Sequence, residues 1–183
     1  GRWRGYQGAT DHQGSTYETI TWACGLLART KRITVFGTVH APLFNPVLAA
    51  KEMVTADQIG RGRFGLNIVI AWNDSEFRMF GVEQRKDHED RYAYGQDWID
   101  AIKRMWGPEE EFDFLGKTMQ LRGLRLKPKP WGGTRPVIMN AGLSPTGRAY
   151  AFRNTDAYFT ATRYPSPDVA AKEVAEIKAQ SRE

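Results

Sequence analysis

Two patterns of hydrophobic residues alternate along the chain. Stretches in which apolar residues recur every three or four positions predict helices, and short continuous apolar runs predict strands covered on both faces. The predicted helices span residues 15–30, 46–59, 73–80, 87–106, 144–153 and 166–180. The predicted strands span residues 33–39, 64–70, 137–140 and 157–160. Repeated alternation of strand and helix indicates right-handed β–α–β units and a parallel sheet, so the predicted fold class is α/β.

Polar residues mark where several helices should begin. Ser15 is followed three residues later by Glu18, which is the capping-box pattern. Asn45 supplies an N-cap residue directly before Pro46, and proline is favoured in the first turn of a helix. We therefore predict that the first helix begins near Ser15 and the second at Pro46.

The number of strands limits the architecture. Residues 112–121 fit neither pattern and predict an irregular or hairpin excursion around Gly116. Four parallel strands are too few to close an eight-stranded barrel, which typically takes about 250 residues. The pattern alone leaves two alternatives open, a small open sheet or a piece of a barrel.

Composition places the chain among soluble globular proteins. It has 183 residues, 41% hydrophobic and 26% charged, which suits a single domain over residues 1–183. No apolar run approaches the roughly 18 residues that a membrane span needs. The single cysteine, Cys24, excludes an internal disulfide, fits a reducing cytoplasm and is predicted to lie in the core.

The net charge of +5 does not point to nucleic acid. The basic residues are spread along the chain, and their short clusters lack the interleaved aromatic residues on which bases stack. A small anionic ligand accounts for the surplus equally well.

Candidate ligand-binding residues follow the predicted strands, because parallel α/β folds bind ligands at the carboxyl ends of their strands. His40 follows the first strand, Asn67 interrupts the apolar run of the second, and a turn with Gly142 and Ser144 follows the third. A buried Asn67 suits the edge of a heterocycle, or it is a core asparagine bonded to a loop. Ser144 at a helix N-terminus suits a phosphate group, or it is an ordinary helix cap.

Charged and titratable residues elsewhere are less informative. Arg91 near a helix start opposes the helix dipole, so either a bound anion or a solvated helix face explains it. His40 is either an acid–base group or a lone structural histidine. His12 and His88 are in polar segments, and the histidines lack metal-binding spacing, so we predict no metal site.

Several motifs in register resemble the bacterial-luciferase-like, flavin-dependent monooxygenases, and within them the branch that contains dimethyl sulfone and pyrimidine-ring-opening monooxygenases. The matching segments are residues 5–8 with 10–11, 18–39, 46–51, 57–69, 72 with 76–77, 88–92, 127–130 and 141–144. The chain departs from the family pattern at Ala71, where glycine is usual, and it covers only about the middle half of a family member. We therefore expect a fragment without the first and last barrel strands.

The resemblance implies a TIM-like (β/α)8 barrel, here its central part, that binds flavin mononucleotide (FMN) at the carboxyl ends of its strands. It implies a set of cofactor-binding residues: Asn67 and Glu76 on the ring, Arg91, Tyr92, Gly142 and Ser144 on the phosphate side. His40 and Arg2 would lie near the reacting atoms. A non-prolyl cis peptide is expected around Val39–Ala41, where it would pack against the ring.

The activity implied is the transfer of one oxygen atom of O2 to a small organic substrate, with a C–S or C–N bond as the point of cleavage. Reduced FMN would come from a separate NAD(P)H-dependent reductase, and the protein would be a homo-oligomer, a dimer or a tetramer. Two alternatives remain: hydride transfer with a deazaflavin, and a non-catalytic flavin-binding protein.

Overall fold

Six helices and six strands make up the part of the chain that the computed structural model describes, which is residues 17–70, 74–83, 85, 87–160 and 166–181, without the side chains of residues 74–76. The helices are α1 (Thr19–Arg29), α2 (Pro46–Gly60), α3 (Asp74–Met79), α4 (His88–Trp106), α5 (Pro145–Asn154) and α6 (Pro167–Gln180). The strands are β1 (Val35–His40), β2 (Phe64–Val69), β3 (Phe112–Leu115), β4 (Gln120–Leu124), β5 (Val137–Asn140) and β6 (Ala157–Tyr158). Short 3-10 helices span Ala41–Leu43 and Trp131–Gly133.

Four of the strands form one parallel sheet in the order β1-β2-β5-β6. In its register Thr38 lies opposite Asn67, and Asn67 lies opposite Met139. The predicted α/β class and the parallel sheet are therefore confirmed. The fourth predicted strand is shorter than expected, since β6 ends at Tyr158.

The two faces of this sheet are covered unequally. Side chains that point toward the helices are fully buried, as Leu66, Ile68 and Ile138 show. The other face carries side chains that are only half-buried, such as Thr38 and Met139. Among the described residues, the second face is thus covered less fully than the predicted burial on both faces requires.

Helix α4 supplies much of the packing in the core beneath the helix-covered face of the sheet. On its apolar face, Trp98, Ile99, Ile102, Met105 and Trp106 are buried, whereas Tyr92 near its start is half-buried. The indole N–H of Trp98 donates to the carbonyl of Phe44 at 2.8 Å, so a polar atom in the core is satisfied. This contact ties α4 to the segment that follows β1.

The first helix and strand both begin later than predicted. The N-cap of α1 is Glu18, whose carboxylate accepts from the backbone N–H groups of Ile20 and Thr21. The predicted cap, Ser15, lies outside the described residues. Strand β1 begins at Val35, and Ile33 before it is half-exposed. The Arg63 guanidinium donates to the carbonyl of Ile33 at 2.9 Å.

Residues 112–124 form an antiparallel hairpin of β3 and β4, which confirms the predicted excursion around Gly116. The buried carboxylate of Asp97 on α4 accepts two hydrogen bonds from Thr118. One comes from the backbone N–H of Thr118 and the other, at 2.7 Å, from its hydroxyl group. A Cβ atom on Gly116 would lie 2.5 Å from Asp97 Oδ2, so only glycine allows this approach.

No helix among the described residues is long and apolar enough to cross a membrane. Within the same residues, no three His, Cys, Asp or Glu side chains gather in a way that could hold a metal ion.

A second buried carboxylate anchors the loop before β5. Asp57 on α2 is 1% exposed, and its Oδ2 accepts from the backbone N–H of Trp131 at 2.8 Å. Burial raises the pKa of the Asp57 carboxyl, and the hydrogen bond from Trp131 offsets part of that rise. The ionised carboxylate of Asp57 therefore has a desolvation cost in free energy, which its hydrogen bonds offset only in part.

Replacing Asp57 tests this balance. A carboxyl whose pKa is raised by folding opposes folding above the raised pKa, and the cost vanishes as pH falls to the ordinary value. Asp57→Asn keeps an acceptor without the charge, so its free energy of unfolding should improve relative to the wild type as pH rises from about 4 to about 7. Asp57→Ala should lose about 1–3 kcal/mol. Urea denaturation at several pH values measures the free energies of unfolding of both variants. If the difference in free energy of unfolding between Asp57→Asn and the wild type did not change with pH, this account would be contradicted.

Candidate functional site

A cavity of about 330 Å³ opens where β1, β2 and β5 end. The described residues that line it are Thr38, His40, Ile68, Val69, Ile70, Tyr92, Asn140, Ala141 and Gly142. They come from three strand ends and from the start of α4. A larger cavity of about 480 Å³ lies between α5 and α6, away from the ends of β1 and β2. The smaller one is the candidate site because it combines apolar walls with convergent polar groups at strand ends.

Asn67 lies beside this cavity on β2. Its amide nitrogen donates to the hydroxyl of Thr38 at 3.1 Å. Its carbonyl oxygen is buried and has no hydrogen-bond partner among the described residues. The side chain as a whole is half-buried, less than the apolar run predicts. An unpartnered acceptor of this kind is a place where a ligand N–H group can bind.

The packing around Gly65 explains why glycine stands two positions before Asn67. Alternate residues of a strand point to the same face, so Gly65 and Asn67 share the face that bears the cavity. A Cβ atom on Gly65 would lie 2.5 Å from the Phe36 ring. The missing side chain lets this ring of β1 lie over β2, next to Asn67.

A buried amide closes the turn after β5. Asn140 is 5% exposed; its Nδ2 donates to the carbonyl of Ile68 at 2.7 Å, and its Oδ1 accepts from the N–H of Gly142 at 2.8 Å. The hydroxyl of Tyr158 donates to the carbonyl of Gly142 at 2.8 Å. These bonds fix the turn against the end of β2 and set the position of α5.

Helix α5 begins beside the cavity, at Pro145. The Ser144 hydroxyl oxygen accepts from the N–H of Gly147 at 3.0 Å, so Ser144 is the N-cap, and its O–H remains able to donate. A Cβ atom on Gly147 would lie 2.8 Å from the Tyr92 hydroxyl oxygen and 3.0 Å from the Ser144 hydroxyl oxygen. Two hydroxyl groups therefore meet at the positive end of a helix dipole.

Aromatic neighbours hold Tyr92 in this position. Its ring packs edge-on against Tyr150 at a centroid distance of 5.5 Å and lies 4.9 Å from His88. Tyr150 is buried and donates to the carbonyl of Gly95 at 3.2 Å. Burial raises the pKa of Tyr150 far above its ordinary value, so this hydroxyl stays protonated and fixed.

Two arginines lie near the starts of α4 and α5. The Nε atoms of Arg91 and Arg148 are buried and lack a partner among the described residues. Arg91 also donates weakly, at 3.4 Å, to the carbonyl of Arg85. Neither arginine is among the described residues that line the candidate cavity, and Arg148 lines a separate cavity of about 490 Å³ with Leu143 and Phe152.

The structure brings together only part of the predicted site. His40, Tyr92 and Gly142 line the cavity, Asn67 bonds to a residue that does, and Ser144 caps the adjoining helix. Arg91 is not among the described lining residues. Arg2, Ala71 and the side chain of Glu76 lie outside the described part, so the roles assigned to Arg2 and Glu76 stay predictions.

Sequence reasoning missed Thr38 and Asn140. Thr38 precedes His40 by two residues and therefore shares its face, a signal that strand alternation contains. Asn140 was visible as a strand end, but nothing in the sequence indicates that it bonds to β2. The expected non-prolyl cis peptide around Val39–Ala41 is wrong: in the described residues the one cis peptide bond is Lys127–Pro128.

Comparisons with known proteins match nearly the whole chain. The family described as Luciferase-like monooxygenase matches residues 3–183. FMNH(2)-dependent dimethylsulfone monooxygenase of Pseudomonas putida is 35% identical over 144 residues, 79% of this chain and 39% of that protein. Pyrimidine monooxygenase RutA of a Bradyrhizobium species is 33% identical over 157 residues, 85% of this chain and 43% of that protein.

A solved structure shows the same fold. Long-chain alkane monooxygenase (LadA) superimposes with a TM-score of 0.82 and 20% identity, over 93% of this chain and 43% of that one. The chain thus spans about two fifths of the length of the curated relatives it matches.

Gly147→Ala tests the close approach of the two hydroxyl groups. The added methyl group would collide with Tyr92 and Ser144, so we expect the free energy of unfolding to fall by about 1–3 kcal/mol. Gly25→Ala on α1 is the matched control, because a Cβ atom there meets nothing within 4 Å. It should raise stability by about 0.4–1 kcal/mol. Urea denaturation measures the free energy of unfolding of both variants. Equal changes in the two variants would show that the Tyr92 hydroxyl does not lie against Gly147.

Proposed function

The chain belongs to the luciferase-like monooxygenase family, and from that membership we propose that it forms the part of a flavin-dependent monooxygenase that binds reduced FMN. Its parallel sheet and flanking helices are part of the TIM-like barrel of the family. The observation that supports the proposal is one cavity at the strand ends, lined by Thr38, Tyr92 and Gly142. Thr38 accepts a hydrogen bond from Asn67, and Gly142 precedes the helix N-cap Ser144 by two residues.

The ring side of the cavity suits a flavin. Asn67 Oδ1 offers a buried acceptor to a ring N–H, and Ile68, Val69 and Ile70 supply apolar wall. A flavin ring is flat, largely apolar and edged with polar atoms, which matches this combination of groups. We assign Asn67 as the ring-binding residue on that basis.

The turn into α5 suits the phosphate. A Cβ atom on Gly142 would lie 2.8 Å from the carbonyl oxygen of Gly147, so the turn is a cradle that only glycine allows. Ser144 and Tyr92 present hydroxyl groups beside it, and the helix dipole favours negative charge there. Arg91 would act from the start of α4.

Reduced FMN supplies the two electrons with which O2 is split, one oxygen atom going to the substrate and the other to water. The chain's own contribution is to bind and orient the flavin and to exclude water from the apolar wall. His40 lies at the strand end that lines the cavity, where it can donate or accept a proton near the reacting atoms. Arg2 is assigned to the same region from the family resemblance.

The names of the relatives support the proposed cofactor, the separate reductase and the kind of bond that is cleaved. A dimethylsulfone monooxygenase described as FMNH(2)-dependent favours FMN over a deazaflavin, and it fits a separate NAD(P)H-dependent reductase that delivers the reduced cofactor. Dimethyl sulfone and pyrimidine substrates fit cleavage of a C–S or C–N bond in a small organic molecule. A cytoplasmic homo-oligomer, dimer or tetramer, remains the expectation.

Flavin titrations of the purified protein test this proposal. Asn67→Ala should weaken FMN and riboflavin alike, by roughly tenfold, because both ligands share the ring. Ser144→Ala should weaken FMN by roughly fivefold and leave riboflavin unchanged, because riboflavin lacks the phosphate. Flavin fluorescence measures both, with oxidised and with reduced flavin.

Ser166→Ala is the control for the serine, since Ser166 stands at the N-terminus of α6 and its side chain makes no capping bond. A deazaflavin included in the same titration should bind less tightly than FMN. The proposal fails if the wild-type protein shows no saturable binding of FMN, or if Ser144→Ala weakens riboflavin as much as FMN.

A further inference from the structure

We infer that the side-chain amides of Gln96 on α4 and Asn154 at the end of α5 form a positioning pair for the proposed phosphate site. The pair sets where α5 lies along α4, and so brings the hydroxyl groups of Tyr92 and Ser144 together beside the cavity. The inference rests on the proposed function, in which those two hydroxyl groups hold the phosphate of FMN. Gln96 and Asn154 are not among the described residues that line the cavity, so they act on the ligand through the helices.

The two amides bind each other through both of their ends. Asn154 Nδ2 donates to Gln96 Oε1 at 2.8 Å, and Gln96 Nε2 donates to Asn154 Oδ1 at 3.1 Å. Asn154 is 4% exposed and is the last residue of α5. A reciprocal pair of hydrogen bonds at this depth fixes the separation of the two helices and their relative position at that point.

Neighbouring groups that only accept hydrogen bonds fix the direction of each amide. Gln96 Nε2 also donates to both carboxylate oxygens of Asp100 at 2.9 Å, and Asn154 Nδ2 donates to the carbonyl of Tyr150 at 3.1 Å. A flipped amide would place oxygen against oxygen at either end. Asn154 Oδ1 accepts in addition from Lys103 Nζ at 3.3 Å. The pair therefore has one arrangement, in which every polar atom of both amides is hydrogen-bonded.

Apolar packing leaves the position of α5 along α4 weakly specified. The buried residues of α5 are Gly147, Tyr150, Ala151 and Asn154, and none of them has an aliphatic side chain longer than a methyl group. Tyr150, the one large side chain among them, reaches α4 by a longer hydrogen bond of 3.2 Å. A slide of one residue, about 1.5 Å, would cost such a face little apolar burial but would break the amide pair.

The relative position of the two helices decides which groups meet beside the cavity. Tyr92 lies near the start of α4, and Ser144 is the N-cap of α5. A Cβ atom on Gly147 would lie within 3.0 Å of both hydroxyl oxygens, so the two hydroxyl groups flank one point. Asn140 holds the turn before α5, and Asn154 holds the far end, about 15 Å away along the helix axis. With both ends held, the direction of α5 against α4 is fixed.

Two leucine substitutions separate this pairing from packing. Asn154→Leu alone leaves the Gln96 amide without its partner, so the midpoint of urea denaturation should fall. Gln96→Leu combined with Asn154→Leu replaces both amides by apolar groups of similar size, so the midpoint should recover part of that loss. The affinity for FMN should not recover: both variants should bind FMN about fivefold more weakly and riboflavin within about twofold of the wild type, because riboflavin lacks the phosphate.

Gln58→Leu is the matched control. The amide of Gln58 is half-buried on α2 and donates to the carbonyl of Lys129 at 2.7 Å, so it also joins two segments of the chain. Its loss should lower the urea midpoint and leave the ratio of FMN affinity to riboflavin affinity unchanged. This ratio, measured by flavin fluorescence, is therefore a readout that a general loss of stability does not move.

A triple variant tests whether the pair acts through the phosphate end of the site. Adding Gln96→Leu and Asn154→Leu to Ser144→Ala should weaken FMN binding by at most about twofold further, since all three substitutions remove the same interaction. Effects that multiply would overturn the inference. So would a double leucine variant that binds FMN as the wild type does, or one that loses riboflavin as much as FMN. These results leave the proposed function standing, whereas absence of FMN binding by the wild type would overturn both.

Discussion

The in-register pairing of β1, β2 and β5 is the constraint on which the site depends. Because the strands are parallel, their carboxyl ends meet at one edge, and Thr38, Asn67 and Met139 fall in one row across the sheet. A shift of one residue in β2 would turn Asn67 toward the helices, where Leu66 and Ile68 are fully buried. The burial of those two side chains therefore holds the polar group at the cavity.

Asn140 links this row to the helix N-terminus. Its amide joins the carbonyl of Ile68, next to Asn67, to the N–H of Gly142, two residues before Ser144. Under the proposed function, Asn67 and Ser144 hold the two ends of one ligand from different elements, which requires a fixed separation. A buried amide that is hydrogen-bonded at both ends helps to fix that separation.

The sequence predicted the elements better than the contacts between them. Apolar periodicity located α4 and the strands, and isolated polar residues within that pattern marked Asn67 and Ser144. The bond from Asn140 to β2 and the bond from Asn67 to Thr38 join residues that are far apart in the sequence, so no local pattern contains them. The degree to which each face of a strand is covered also depends on distant segments, because a continuous apolar run looks alike whether one face or both are buried.

The division of the site between its two sides bears on where substrate choice resides. Under the proposed function, the groups that hold the flavin include residues of β2, of α4 and of the turn into α5. The strand register and the two hydrogen bonds of Asn140 fix the relative positions of these elements. The chain is similar both to a dimethylsulfone monooxygenase and to a pyrimidine monooxygenase, over 79% and 85% of its length. Under the proposed function, one cofactor-binding frame can accompany different substrates, and the substrate is selected by residues outside this frame.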